Sequence, residues 1–411
     1  MTARAVGIDA LNLYGGSMAL ALADLARARG VDPGRTLGGL MVEQRAVFPP
    51  WEDVVTMAAT AARPLVEEMD RAEIGLLVVG TESGIDYGKP ISTQLLNLLG
   101  LGSHIRNYEV KHACYSGVAA LTIALDWIRA GHHRGRKALV IASDASREHL
   151  GELHEYVLGG CATAMVVGED PRVLECDPAR GTWSSHRYDT FRPTALREVG
   201  NGDLSLLTYL EALEESWTDY CSVVPDTRFT DDFDRLVFHT PFAGMASQAH
   251  RTLCGVVGYR GRAAIAEDFA RRVRPSLAFA QALGSPYASS NFAALASLVS
   301  TDPELPEGAR VGCFSYGSGA IGEWYRVRVM PGARAVVARR GIPSALAERR
   351  TVTVAEYEAN ERARTAIVDA ARATPARDVV PGLLASHYDG RPRLVLDDVR
   401  DYQRIYRWGD Q

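Results

Sequence analysis

The sequence predicts an α/β protein with mostly buried sheets. Three observations carry that expectation. Short, uninterrupted apolar runs of strand length recur along the chain. Longer segments with helical spacing of apolar residues lie between them. And 47% of the 411 residues are hydrophobic against 23% charged, which is enough to fill a large core.

Taken in order, residues 54–69 read as a helix and "IGLLVVG" (74–80) as a strand buried on both faces. A helix follows near 90–100, then a short strand at Asn107, Tyr108 and Val110. Val118, Leu121, Leu125 and Ile128 recur at spacings of three, four and three, one face of a helix over 115–130. "KALVIAS" (137–143) and "CATAMVVG" (161–168) are the next strands. A loop-rich stretch, 177–203, sits near the middle as a divider. Beyond it come a helix at 204–222, the strand 235–238, helices at 242–256 and 290–300, and the strand "RVGCFSYG" (310–317). After about residue 331 the texture turns Arg- and Ala-rich, with a helical pattern at 354–373. The expected organisation is one half at 1–176, a second at 177–330 and an extension at 331–411 packed on the core.

Bulk properties remove several function classes. The formal net charge is −5 with both signs interspersed, so neither nucleic acid nor an anionic membrane is an expected partner. No apolar run approaches ~18 residues, the least that spans a bilayer. The first residues lack a basic start followed by an apolar stretch, the pattern of a secretory leader. Six scattered cysteines without a C-x-x-C pair argue against a zinc site and a disulfide framework, and for a cytoplasmic protein.

The chemistry concentrates in three places where strands end or helices begin. Cys114, in "YEVKHACYSGVAALTIALDWI" (108–128), falls at or just before a helix N-terminus, where free N–H groups and the dipole favour a thiolate. Glu82 follows the strand 74–80, and a carboxylate leaving a strand into a pocket can become a base near neutral pH. His239 follows the strand 235–238. Open α/β sheets place ligands at the carboxyl ends of strands, so one crevice accommodates all three. Each has an ordinary structural reading when taken singly: a small core thiol, a helix cap, a histidine satisfying a carbonyl. Cys161 and Cys313 also flank strands, but neither stands at a helix start. Pattern alone reaches a cysteine-nucleophile α/β enzyme and no further.

The residues resemble the 3-hydroxy-3-methylglutaryl-CoA synthases of the thiolase superfamily, in six ordered motifs across almost the whole chain. "GTESGIDYGKP" resembles the family's glutamate motif, "EVKHACYSG" its cysteine motif and "FHTPFAGM" its histidine motif. "HRYDTFRP" (186–193), "DLSLLTYLEAL" (203–213) and "FSYGSG" (314–319) have counterparts too, as does the closing segment 394–408. The resemblance implies a thiolase-like duplicated βαβαβαββ core in five αβαβα layers, and a homodimer. It implies that Cys114 accepts an acetyl group and that Glu82 removes a proton from its methyl. The resulting carbon adds to a β-ketone oriented by His239, and water releases the product from sulfur. Backbone N–H groups of Cys114 and Ser318 are the implied oxyanion donors. Gly317, Tyr316, Ser285, Pro241 and Phe242 are the implied substrate-binding positions, with Asp144 and Asp189 in support. No metal or redox cofactor is implied.

Departures from the family pattern point to a subclass. Primary-metabolism members carry a Lys five residues after the histidine, which helps bind coenzyme A phosphates; here that residue is Gly244. The motifs look more like the stand-alone synthases of polyketide β-branching cassettes, as found in antibiotic biosynthesis. Their substrates ride on the phosphopantetheine of acyl carrier proteins: an acetyl donor carrier and a β-ketoacyl acceptor carrier of a polyketide synthase. Ser285 stands where the family usually has Asn, and Val157 where it has Thr. Acidic carriers call for a basic surface, for which "GHHRGRK" (131–137), Arg147 and "ARRVRP" (270–275) are the candidates. The alternatives are a mevalonate-pathway synthase using coenzyme A esters, a chain-initiating ketosynthase, and a non-catalytic scaffold within a synthase complex.

Overall fold

The computed structural model describes residues 4–411. Its framework is a nine-stranded mixed sheet built from two copies of one pattern. In the first half, β1 (Val6–Tyr14) leads to helix α1 (Val54–Val66), β2 (Ile74–Gly80), α2 (Ile91–Leu98), β3 (Arg106–Val110), α3 (Ser116–Arg129), β4 (Lys137–Ala145) and β5 (Gly160–Glu169). In the second, β6 (Leu174–Ser184) leads to α4 (Gly202–Val223), β7 (Arg235–Phe238), α5 (Met245–Val256), α6 (Arg262–Arg272), α7 (Ser290–Thr301), β8 (Arg310–Gly317) and β9 (Ile321–Val329).

Across the sheet the order is β7-β8-β9-β6-β1-β5-β4-β2-β3. Read outward from the centre, β1-β5-β4-β2 and β6-β9-β8-β7 repeat the same order. They also repeat the same directions, antiparallel, antiparallel, then parallel. The two central strands meet over a short antiparallel pairing at Gly7 with Glu175 and Ile8 with Leu174. The second copy lacks a counterpart of β3; helix α6 and short turns occupy that stretch of chain.

The helices make the layers. α1 and α2 cover the outer face of the first half-sheet, and α4 and α5 that of the second. α3 and α7 form the layer between. That position explains why α7 is buried at ten consecutive residues, Ser290–Val299, instead of along one stripe. Gly117 in α3 lets the layer close, because a Cβ there would overlap the carbonyl oxygen of Ala288 just before α7. The result is the five-layer αβαβα arrangement the motifs imply.

Two expectations change. The supposed loop at 177–203 begins as strand: β6 runs to Ser184, and its half-exposed residues obscure the apolar run that marks a buried strand. The helix expected over 354–373 is α8 (Val354–Thr365), opened by a capping box between Thr353 and Glu356 and ended eight residues early. No helix among the described residues is long and apolar enough to cross a membrane.

Candidate active site

The carboxyl ends of β2, β4, β7 and β8 open into one cavity of about 1260 Å³. Glu82, Cys114, His239, Tyr316, Ser318, Ser285, Pro241 and Phe242 all line it. Gly317, Asp144 and Asp189 stand behind the wall.

Asp144, at the end of β4, organises the first side. One of its oxygens accepts from the Thr81 hydroxyl at 2.8 Å and the Glu82 N–H at 2.9 Å. The other accepts from the Ala288 N–H at 3.0 Å. The strand end carrying Glu82 and the turn before α7 are thereby fixed to one buried carboxylate. Glycine lets the turn that carries Cys114 approach. A Cβ at Gly80 would overlap the carbonyl of Ser116, and one at Gly317 would come within 2.6 Å of both the His112 carbonyl and the Tyr115 Cβ. The ends of β2 and β8 therefore press the 112–116 turn from opposite halves and hold Cys114 beside Glu82. Ala113, next to the thiol, has φ at 43°, a left-handed conformation uncommon for alanine.

His239 is fixed by its backbone. Its N–H donates to the Phe314 carbonyl at 2.8 Å, and its carbonyl accepts from the Tyr209 hydroxyl at 2.8 Å. The ring lies 6.3 Å from Tyr209 and 6.2 Å from Tyr316, and its buried Nδ1 has no partner among the described residues. Asp189 braces this side from behind, accepting from the Tyr316 hydroxyl at 2.6 Å and the Gly319 N–H at 2.9 Å.

Electrostatics separates the groups sharply. Burial pushes the Glu82 carboxyl up to about 7 against the attraction of Arg192, with Asp144 and Glu198 adding to the rise. Burial and the Glu82 charge hold the Cys114 thiol well above its ordinary value. This corrects the thiolate expected from the helix start: desolvation beside a carboxylate outweighs the few unpaired N–H groups, so the resting group is a thiol. Burial alone drives His239 down to about 3, so it is a neutral imidazole.

Sequence reasoning missed Arg192, which lies in "HRYDTFRP" three residues after the Asp189 it did single out. Its guanidinium sits 3.2 Å from the free-facing carboxylate of Glu82 and 2.8 Å from that of Glu198, and stacks 5.2 Å from the Tyr287 ring centroid. The motif carried the signal; a cation there is informative only once Glu82 is known to face it. Tyr209, inside the quoted "DLSLLTYLEAL", was missed for the same reason.

The departures have physical content. Gly244 opens α5, and a Cβ there would overlap the Gly39 carbonyl and lie 3.0 Å from that of Leu40, to which the Gly244 N–H donates at 2.8 Å. Backbone fills the place where a lysine would stand. Val157 and Ser285 are neighbours, joined by the Ser285 N–H donating to the Val157 carbonyl at 2.8 Å. Of the basic segments, 131–137 follows the far end of α3, roughly 20 Å from Cys114 at 1.5 Å per residue. There Lys137 pairs with Asp9 at 2.8 Å. In 270–275, Arg272 is buried against Asp268. One cation of each segment is thus spent on structure, while Arg134, Arg271 and Arg274 stay exposed. Arg147 alone of the three candidates lines the cavity.

The chain matches known proteins over almost its whole length. A family model for the hydroxymethylglutaryl-coenzyme A synthase N terminal matches residues 2–172, and one for the C terminal matches 174–254 and 260–386. The chain is 37% identical, over 98% of its length and 99% of the relative's, to the polyketide biosynthesis 3-hydroxy-3-methylglutaryl-ACP synthase PksG of Bacillus subtilis. It is 31% identical over 86% of its length to a hydroxymethylglutaryl-CoA synthase of Enterococcus faecalis, covering 91% of that protein. Among solved structures, the HMG synthase of the curacin biosynthetic pathway in complex with holo donor-ACP superposes with a TM-score of 0.95 at 36% identity, covering 98% of this chain and 100% of that one.

Proposed function

The chain belongs to the hydroxymethylglutaryl-coenzyme A synthase family, and from that premise we propose that it builds β-branches on carrier-bound polyketide chains. An acetyl group passes from a donor acyl carrier protein to Cys114. That exchange between two thiols conserves protons, since the departing pantetheine thiol gains the one Cys114 loses. Glu82, poised near neutrality, takes a proton from the acetyl methyl while the carbonyl oxygen rests against the backbone N–H groups of Cys114 and Ser318. The carbon adds to the β-ketone of a second carrier-bound acyl group. Neutral His239 donates a hydrogen bond to that ketone, and the proton held on Glu82 is then available to the new alkoxide. Water cleaves the Cys114 thioester, leaving a free carboxylate on the branch and restoring the thiol.

The observation that carries this reading is the meeting of Glu82, Cys114 and His239 in one cavity. Carriers in place of free coenzyme A are supported by Gly244, where packed backbone leaves no room for a phosphate-binding lysine. Exposed Tyr87, Leu153 and Tyr188 on the cavity's rim add apolar surface of the kind a protein partner covers. We place the reaction in the cytoplasm, where six unpaired cysteines are at home, and the working enzyme as a homodimer, with the unpaired edge strand β3 the natural seam.

Intact-protein mass spectrometry tests the reading. Acetyl is offered on a carrier protein or on coenzyme A, with acetoacetyl-carrier protein as acceptor. A Cys114-linked acetyl and a hydroxymethylglutaryl-carrier product, formed much faster from the carrier donor, are expected. Efficient use of acetyl-coenzyme A with acetoacetyl-coenzyme A would place the protein in the mevalonate pathway instead.

A further inference from the structure

The extension at 331–411 contributes an arm of the cavity's wall to which the proposed reaction assigns no role. Of the five arginines that line the cavity, four, 147, 192, 364 and 404, fall in one group. Three have carboxylate partners. Arg192 pairs with Glu82 and Glu198, Arg364 with Glu361 at 2.8 Å, and Arg404 with Asp53 at 3.1 Å. Arg147 has none: among the described residues its guanidinium makes no ion pair and no hydrogen bond, and its Nε is buried without a partner. The cations that act on it are those same three arginines, and the acid that offsets them, Asp144, is already held by Thr81, Glu82 and Ala288.

An Nε–H left buried without an acceptor is costly, because it loses water and gains nothing. Three neighbouring cations raise that cost, and they show in Arg147 itself, held down to about 10 by burial and by Arg192, Arg364 and Arg404. An oxyanion removes the cost at once, offering a planar or tetrahedral set of acceptors to the guanidinium fork. The arm is also positioned for a substrate. Arg147 lies three residues beyond Asp144 on the strand end that fixes Glu82. The opposite wall comes from α8 and the closing strand Gln403–Trp408.

We propose that Arg147 is the centre of an anion subsite that holds an oxyanion of the substrate. Arg364 and Arg404 supply positive field from the C-terminal extension. The shared chemistry is an oxygen anion, and it has two sources: the phosphate joining the pantetheine arm to its carrier, or a carboxylate on the acceptor's acyl chain. This inference rests on the carrier-dependent condensation proposed above.

The test compares the wild type with Arg147→Gln and Arg147→Lys in steady-state condensation and in direct binding. Acceptors are acetoacetyl-pantetheine, its phosphopantetheine form, and the 3-oxoglutaryl phosphopantetheine thioester with a terminal carboxylate. If the phosphate is the ligand, Arg147→Gln raises KM roughly tenfold or more for both phosphopantetheine acceptors and leaves the phosphate-free one unchanged, with Lys partly restoring it. If the carboxylate is the ligand, only the 3-oxoglutaryl acceptor suffers. Binding of inorganic phosphate and of glutarate, followed by chemical shifts of arginine Nε–Hε groups, gives a readout free of turnover. Unchanged KM for all three acceptors, together with equal binding of both anions to wild type and variant, overturns the subsite. A wild type that binds an anion through Arg147 but condenses nothing would instead overturn the proposed reaction and leave the subsite standing.

Discussion

The two walls of the active-site cavity are built from equivalent strands of a duplicated fold, yet their electrostatics are opposite. The wall from the first half is ionic. Glu82 stands among Cys114, Arg192, Glu198 and Asp144; Arg192 draws its pKa down while Asp144 and Glu198 push it up. The wall around His239 is neutral where it meets the cavity, with the Asp189 carboxylate set behind Tyr316. His239 sits among Tyr209, Tyr316 and packed backbone, and burial alone sets its protonation. Duplication thus supplies two strand ends at one crevice, and in the proposed reaction the side chains delivered there divide the work. Proton removal needs a group tuned near the working pH; orienting a ketone needs a donor whose charge never changes.

The largest expected effect breaks the ionic wall at its base. Glu82→Gln keeps the shape and the acetyl loading of Cys114 but lowers condensation about a thousandfold, within the range general bases supply. Mass spectrometry would show acetyl-enzyme accumulating; condensation at the wild-type rate would refute the assignment. The same variant reports on stability. Glu82 holds its proton to about pH 7 in the fold and to about 4.5 when exposed. Across that window the folded chain binds a proton that the unfolded chain releases, so wild-type stability falls as pH rises. Glu82→Gln is therefore more resistant to urea at pH 8, by on the order of 3 kcal/mol, and equal to wild type at pH 4. A difference independent of pH would sink this account.

Gly244→Ala probes the neutral wall's support. Its Cβ would overlap the Gly39 carbonyl, so a loss of about 1–3 kcal/mol in urea unfolding is expected, as for other overpacked sites. No gain in the use of coenzyme A esters should accompany it. The smallest effect sharpens the contrast through pH. Arg192 draws Glu82 down, so Arg192→Met moves the acid limb of condensation to higher pH. Replacing Tyr209 by Phe, beside His239, leaves that limb where it is. A limb that follows Tyr209 instead would erase the distinction between the walls.

Strands buried on both faces were plain in the sequence, because "IGLLVVG" has no polar residue to confuse its period and "RVGCFSYG" opens with its one charge at the strand's edge. β6 was hidden because one face is wet, and β1 because Asp9 and Asn12, both buried and paired, interrupt it. Glu82, Cys114 and His239 were legible from strand ends and motifs. The acidity of the thiol was not, since it depends on a carboxylate 32 residues away in "TES" that only the fold brings near. Arg192 was invisible for the same reason: a lone arginine in a loop is ordinary until its partners are known.

Asp144 makes the two copies of the fold inseparable. Its one oxygen holds the strand end bearing Glu82 in the first half, and its other holds Ala288 in the second. Because the base's anchor is also a rivet between halves, neither copy can drift, be exchanged with a relative's, or be expressed by itself without disturbing the proton-removing step. The repeated strand order gives the crevice a second strand end, and Asp144 ties the half that carries it to the first.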